Sequence, residues 1–94
     1  MEPVVVPIED VLDLHQFQPA EVADLLDNYF RECVQAGILS VRIIHGKGTG
    51  ALKKGVLAFL QKHRRVAAFH PAPPEAGGWG ATLVTLRGPE DEIA

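Results

Sequence analysis

The sequence predicts a two-layer α/β sandwich, a mixed four-stranded sheet with two helices on one face, in the order β-α-β-α-β-β. Three observations carry that expectation. Two windows repeat apolar residues at helical spacing, and β-branched or alternating apolar runs separate them. A chain of 94 residues holds one domain with a single modest core. Two helices that each link strands by a right-handed crossover lie on the same side of the sheet, which leaves the other face open.

The first strand is expected over residues 8–15, where Val11, Leu12 and Leu14 supply apolar bulk. Pro19 opens a helix at the position where proline is tolerated. Val22, Leu25, Leu26, Tyr29, Phe30, Cys33 and Val34 form its buried stripe, and Gly37 suits its stop. A mostly buried strand follows over 38–45. The second helix runs over 51–63, with Leu52, Val56, Leu57, Phe59 and Leu60 inward and lysines outward. A short third strand occupies 66–69. The segment HPAPPEAGG excludes helix and central strand, since its prolines remove donors and fix backbone angles. Alternation resumes over 79–87 for a fourth strand. Residues 1–7 are an N-terminal extension, 8–88 the domain, and 89–94 an acidic tail.

Composition limits the function classes. Hydrophobic residues make up 47% and no run is long enough to span a bilayer. The acidic MEPVVVPIED start lacks a signal-peptide pattern, so a cytoplasmic location is expected. The single cysteine, Cys33, falls on the first helix's apolar stripe and is expected in the core rather than in a disulfide or metal framework. The net charge of -3 conceals an asymmetry: Cys33 to Pro74 contains no acid, yet holds Arg42, Lys47, Lys53, Lys54, Lys62, Arg64 and Arg65. A one-sign block of this kind suits an anionic partner.

The first three strands run parallel if both helices are crossovers, so their C-terminal ends share one rim. Open α/β sheets bind ligands at such a rim. Asp13 and His15 end the first strand, His45 ends the second, and the GGWGAT segment starts the fourth. The loop Gly46, Lys47, Gly48, Thr49, Gly50 opens the second helix there. Its even glycine spacing matches neither the G-x-x-x-x-G-K-[ST] phosphate loop nor the G-x-G-x-x-G dinucleotide fingerprint. Glycines still let backbone amides approach an anion, next to a helix N-terminus and the charge of Lys47. A backbone phosphate is the ligand this arrangement suits.

His63 and His70 are expected on the surface. His15 and His45 are catalytic candidates, because imidazole exchanges protons near neutral pH. Asp13 is placed either to orient an imidazole or to help hold a divalent cation. Alternation sets His45 with Val41 and Ile43, which leaves open whether it shares a face with Asp13. Trp79 is placed either to stack on a base or to cover the sheet edge.

These residues resemble the Smr domain family, named for small MutS-related sequences. Three signatures carry the resemblance: LDLH at Leu12 to His15, HGKGTGALKKGV at His45 to Val56, and GGWGATLV at Gly77 to Val84. It implies a fold like the C-terminal domain of translation initiation factor three, on a chain that carries only the domain. It also implies an endonuclease that nicks or cleaves DNA or RNA, working with a ribosome or a repair assembly. Asp13 and His15 match the family's nuclease-associated Asp-x-His. His45, Gly46, Lys47, Gly48, Thr49 and Gly50 match its glycine-rich motif, with Lys53, Lys54 and Trp79 beside it. Gln16 stands where many members have glycine. Lys53 replaces a common arginine, keeping charge without the bidentate fork.

Two mechanisms stay open at this point: histidine-mediated proton transfer, or a divalent cation such as Mg2+ or Mn2+ held by Asp13. The alternative to both is a module that binds branched or structured nucleic acid without cutting it. A protein-interaction role for the acidic first helix and tail is the third reading.

Overall fold

The computed structural model describes residues 10–46 and 50–88. Its elements are β1 (Val11–Asp13), α1 (Pro19–Gln35), β2 (Ser40–Ile44), α2 (Ala51–Lys62), β3 (Val66–Pro71) and β4 (Ala81–Leu86). Two 3-10 turns, Pro74–Ala76 and Gly78–Gly80, join β3 to β4. The N-terminal extension 1–7, the first two residues expected in strand one, and the tail 89–94 lie outside the described residues.

The strands stand in the order β1-β2-β4-β3. β1 pairs parallel with β2, and β4 pairs antiparallel with both β2 and β3. The first three strands therefore point the same way, and β4 returns between two of them. That insertion leaves β3 on an edge, where a proline costs no ladder bond. The strand accordingly continues to Pro71, beyond the expected end at 69.

β1 is shorter than expected. Leu14 N–H still donates to Ile44 O (2.8 Å), but Phe17 N–H then folds back to Leu14 O (3.0 Å). His15 therefore sits in a turn and not in the strand. Gln16 adopts no left-handed backbone conformation.

α1 begins at Pro19, and the Glu21 carboxylate accepts Gln18 N–H (3.2 Å) just ahead of it. It stops at Gly37, whose φ of +80° lets Ile38 N–H reach back to Cys33 O (2.8 Å). Its buried residues are Val22, Leu26, Phe30, Cys33 and Val34. They pack with Val56 and Leu60 of α2 and with Leu14, Val41, Ile43, Val84 and Leu86 from the sheet. Cys33 is wholly buried, and burial pushes its thiol up from the ordinary range.

Register separates the two faces of the sheet. Val41 and Ile43 stand opposite Val84 and Thr82 under the helices, whereas Arg42 and Ile44 stand opposite Leu83 and Ala81 on the open side. Asp13 is level with Ile44 and so belongs to the open side. Among the described residues, no helix is long and apolar enough to cross a membrane.

His63 departs from its expected surface position. Its side chain is 9% exposed and lies between the rings of Phe30 and Phe59. Nδ1 accepts Arg65 N–H (3.1 Å), so Nε2 carries the proton that it donates to Asp27 (2.9 Å). The ring thus ties the end of α2 to the middle of α1, a contact that local charge does not reveal.

Phe30 is central to both layers. Phe30→Ala is expected to destabilise the fold by about 3–5 kcal/mol, as for other buried aromatic truncations. Denaturant unfolding measures this, and a cost well under 1 kcal/mol would contradict the packing described.

Candidate functional site

The C-terminal ends of β1 and β2 and the start of β4 meet at one rim. Asp13 Oδ1 accepts two hydrogen bonds from His15, one from its backbone N–H (2.9 Å) and one from Nδ1 (2.7 Å). The backbone bond is the chief cause that holds the Asp13 carboxyl below the usual carboxylate range; burial opposes it, and the ring contact adds a smaller lowering. The carboxylate is therefore ionised at neutral pH and fixes the proton on Nδ1. Nε2 is left without a partner among the described residues, as a basic nitrogen. Both side chains are 57% exposed, so solvent and large ligands reach them.

Gly46 determines where that ring can lie. A Cβ built at Gly46 would stand 2.6 Å from His15 Nε2, and the φ of +80° is itself a left-handed conformation. The imidazole therefore rests on the bare backbone of the second signature. Gly46 N–H and His45 N–H both donate to Gly80 O, at 2.9 and 3.0 Å. The Gly46 amide is thus occupied, contrary to the expectation that it would face an anion.

His45 is brought to the rim but not to the same face as Asp13 and His15. It is 4% exposed, and its Nε2 lies 2.9 Å from Thr82 Oγ1 on the helix-covered side. Nδ1 donates to Gly46 O (3.1 Å), so Nε2 accepts from the Thr82 hydroxyl. Burial is the main cause that lowers its pKa, with smaller contributions from Lys53 and His15, against an opposing bond to Gly46. The ring is consequently neutral at neutral pH, with both nitrogens engaged.

Gly50, at φ +84°, is the N-cap of α2, and Lys54 N–H donates to its carbonyl (2.9 Å). Lys53 Nζ sits 5.0 Å from the centre of the Trp79 ring, a cation–π pair across the rim. Trp79 is 76% exposed, so one broad aromatic surface remains open to a ligand. Lys54, next in the helix, is exposed. Lys47, Gly48 and Thr49 lie outside the described residues. The acid-free block does not form one patch: Lys62 and Arg64 follow at the other end of α2, about 18 Å of helix away.

Arg42, Thr82 and Gly80 belong to this site although sequence reasoning did not select them. Arg42 lies on the open face with Nη1 donating to Ala76 O (3.2 Å). Its alternation with Val41 and Ile43 was the available signal. Thr82, a polar residue inside the third signature, was the other.

A divalent cation would find few protein ligands here. No group of three or more His, Cys, Asp or Glu side chains is gathered among the described residues. Asp13 Oδ1 is already engaged with His15, which leaves Oδ2 alone on that carboxylate.

Comparison with known proteins agrees with the fold and the family. A family model described as the Smr domain matches residues 12–87. Endonuclease MutS2 of Leuconostoc mesenteroides is 46% identical over 80 residues, which is 85% of this chain and 10% of that protein. The Staphylococcus aureus Endonuclease MutS2 is 42% identical over 80 residues, 85% of this chain and 11% of its own length. The chain thus spans about a tenth of the curated relatives it matches. Among solved structures, the Smr domain of Thermus thermophilus MutS2 superposes with a TM-score of 0.79 at 38% identity, covering 84% of this chain and 99% of that one. YdaL, a stand-alone small MutS-related protein from Escherichia coli, gives 0.75 at 29% identity, over 86% and 66%.

Two outcomes follow from this geometry. Gly46→Ala is expected to displace the His15 ring from Asp13 and to destabilise the fold by about 1–2 kcal/mol through the left-handed backbone. NMR of the His15 ring reads the first effect and unfolding reads the second; an unmoved ring would contradict the packing. For His45, the folded pKa is lowered from 6.5. The unfolded chain therefore binds the proton first as pH falls, and stability is lost from about 6.5 downward. The difference between wild-type and His45→Gln stability profiles is expected to shrink across that window, and a constant difference would contradict it.

Proposed function

The chain belongs to the Smr domain family, and on that footing we propose that it cuts the phosphodiester backbone of a nucleic acid, with His15 as the proton-transfer group. The observation that carries this reading is the Asp13–His15 pair: Nδ1 is clamped at 2.7 Å while Nε2 stays free above Gly46. A catalytic imidazole needs such an arrangement, with one nitrogen oriented by a carboxylate and the other facing the reacting atoms.

In this mechanism a phosphate lies over the rim between His15 and the start of α2. His15 Nε2 takes the proton from the attacking oxygen, either the 2′-hydroxyl of RNA or a water molecule. As that oxygen bonds to phosphorus, the bond from phosphorus to the leaving oxygen breaks. The leaving oxygen takes a proton from solvent water, to which the imidazolium later returns its own. The Asp13 carboxylate stabilises the imidazolium that results. Negative charge developing on the phosphoryl oxygens meets the positive end of α2 and Lys53, with Lys47 from the adjoining loop. Trp79, pinned by Lys53, stacks on a neighbouring base. His45 takes a positioning role: a buried neutral ring with both nitrogens engaged holds Gly46 and Thr82 and does not reach the reacting atoms. No step is routed through a cation. The name Endonuclease MutS2 on relatives 42–46% identical supports the reaction class.

The exposed Trp79–Lys53 pair also favours the second reading, a module that binds without cutting. Labelled DNA and RNA of matched sequence, incubated with and without divalent metal and with chelator, separate the two. Cutting that His15→Ala and Asp13→Ala each lower by about 10²–10⁴-fold, with affinity largely retained, is expected. Equal cutting by the wild type and the Asp13→Ala, His15→Ala double variant would reject the assignment. Tight salt-sensitive binding with no product under any condition would establish the second reading. A cyclic phosphate end on RNA products identifies attack by the 2′-hydroxyl.

A further inference from the structure

Beside the Asp13–His15 pair, the open face of the sheet carries a hollow of about 460 Å3. That is within the roughly 300–1,000 Å3 range of pockets that hold small organic ligands. His15 stands at one side, the Ala76–Gly77 turn at the other, and Arg42, Ile44 and Ala81 form the floor. We propose that this hollow is a nucleobase subsite, which takes the unstacked base of the nucleotide next to the phosphate at His15. The inference rests on the proposed function for its position, but its chemistry is read from the hollow alone.

A second phosphate is the obvious competitor, and the wall argues against it. Beside Arg42 a phosphate would need free amide N–H groups to complete its cradle, and those along this wall are spent. Gly46 N–H donates to Gly80 O (2.9 Å), Gly80 N–H to Gly77 O (3.1 Å), and Gly78 N–H to Pro73 O (3.0 Å). Ile44 adds apolar surface, with the buried Ala81 beneath. What remains is a flat, partly apolar hollow with one planar cation. Arg42 is held by a single bond from Nη1 to Ala76 O (3.2 Å). Its Nε is buried without a partner, and Nη2 has none among the described residues. An under-satisfied guanidinium lying on an apolar floor suits a group with a π face and polar edges, as a base has.

The consequence is substrate choice. A base inside a duplex is stacked on both sides and paired at its edge, so it reaches this hollow only after leaving the stack. Strands with unpaired nucleotides at the cut are therefore the preferred substrates.

NMR titration of the wild-type protein with uridine and adenosine 5′-monophosphates, against ribose 5-phosphate, tests the subsite without any cutting. The nucleotides are expected to shift Arg42 Hε and the Ile44 and Ala81 methyl signals through the ring current of the base. Ribose 5-phosphate should leave these signals in place. Arg42→Ala should weaken nucleotide binding about tenfold, with its own spectrum reporting that it is folded. Equal shifts with ribose 5-phosphate would overturn the subsite in favour of a phosphate site, and no shift with any probe would overturn it outright. Base-dependent shifts in a protein that cuts nothing would sink the proposed function alone. No shifts in a protein whose cutting requires His15 would sink the subsite alone.

Discussion

One carbonyl organises the rim. Gly80 O receives both His45 N–H and Gly46 N–H, so the end of β2 is locked to the start of β4. The lock requires the chain to turn sharply at Gly46, which only a left-handed residue without a side chain accommodates under an imidazole. His45 reinforces it from beneath by joining Gly46 O to Thr82 Oγ1. Burial keeps that ring neutral, and a neutral ring can donate at one nitrogen and accept at the other. The floor on which His15 rests is thus built by the second and third signatures together. Gly46, Gly80 and His45 act here as architecture.

The rim then divides into two sides with different physics. On the β1 side, Asp13 and His15 are two residues apart in sequence, half exposed and joined by two hydrogen bonds to one oxygen. Such a local pair requires no long-range packing to form, only a floor with no side chain under the ring. On the α2 side, Lys53 and Trp79 come from distant segments and meet through a cation–π contact. They offer charge and a stacking surface without proton chemistry. In the proposed function, a polynucleotide laid across the rim would meet grip on one side and a basic nitrogen on the other.

Much of this was legible in the sequence. Helix boundaries followed from Pro19, Gly37 and Gly50, because those residues act through local backbone geometry. The parallel direction of the first three strands followed from the two crossovers, and membership followed from three ordered signatures. Three features were not legible for a common reason. The burial of His45, the docking of His63 between Phe30 and Phe59, and the floor position of Arg42 each depend on a partner 30 or more residues away, or on which face of the sheet the helices cover. Alternation placed His45 with Val41 and Ile43 correctly, but it could not say that this was the buried side. The early end of β1 was hidden differently: Asp13 captures the His15 amide, a side-chain bond that outcompetes one more ladder pair.

In the proposed reaction the protonation state of His15 Nε2 governs cutting. The most direct test is to measure single-turnover cutting of one bound oligonucleotide against pH, and to titrate the His15 ring by NMR in the same complex. Cutting is predicted to rise with the fraction of neutral His15, with the two midpoints coinciding. A rate that ignores the titration of His15, or that follows another group while His15 changes charge, would contradict the account.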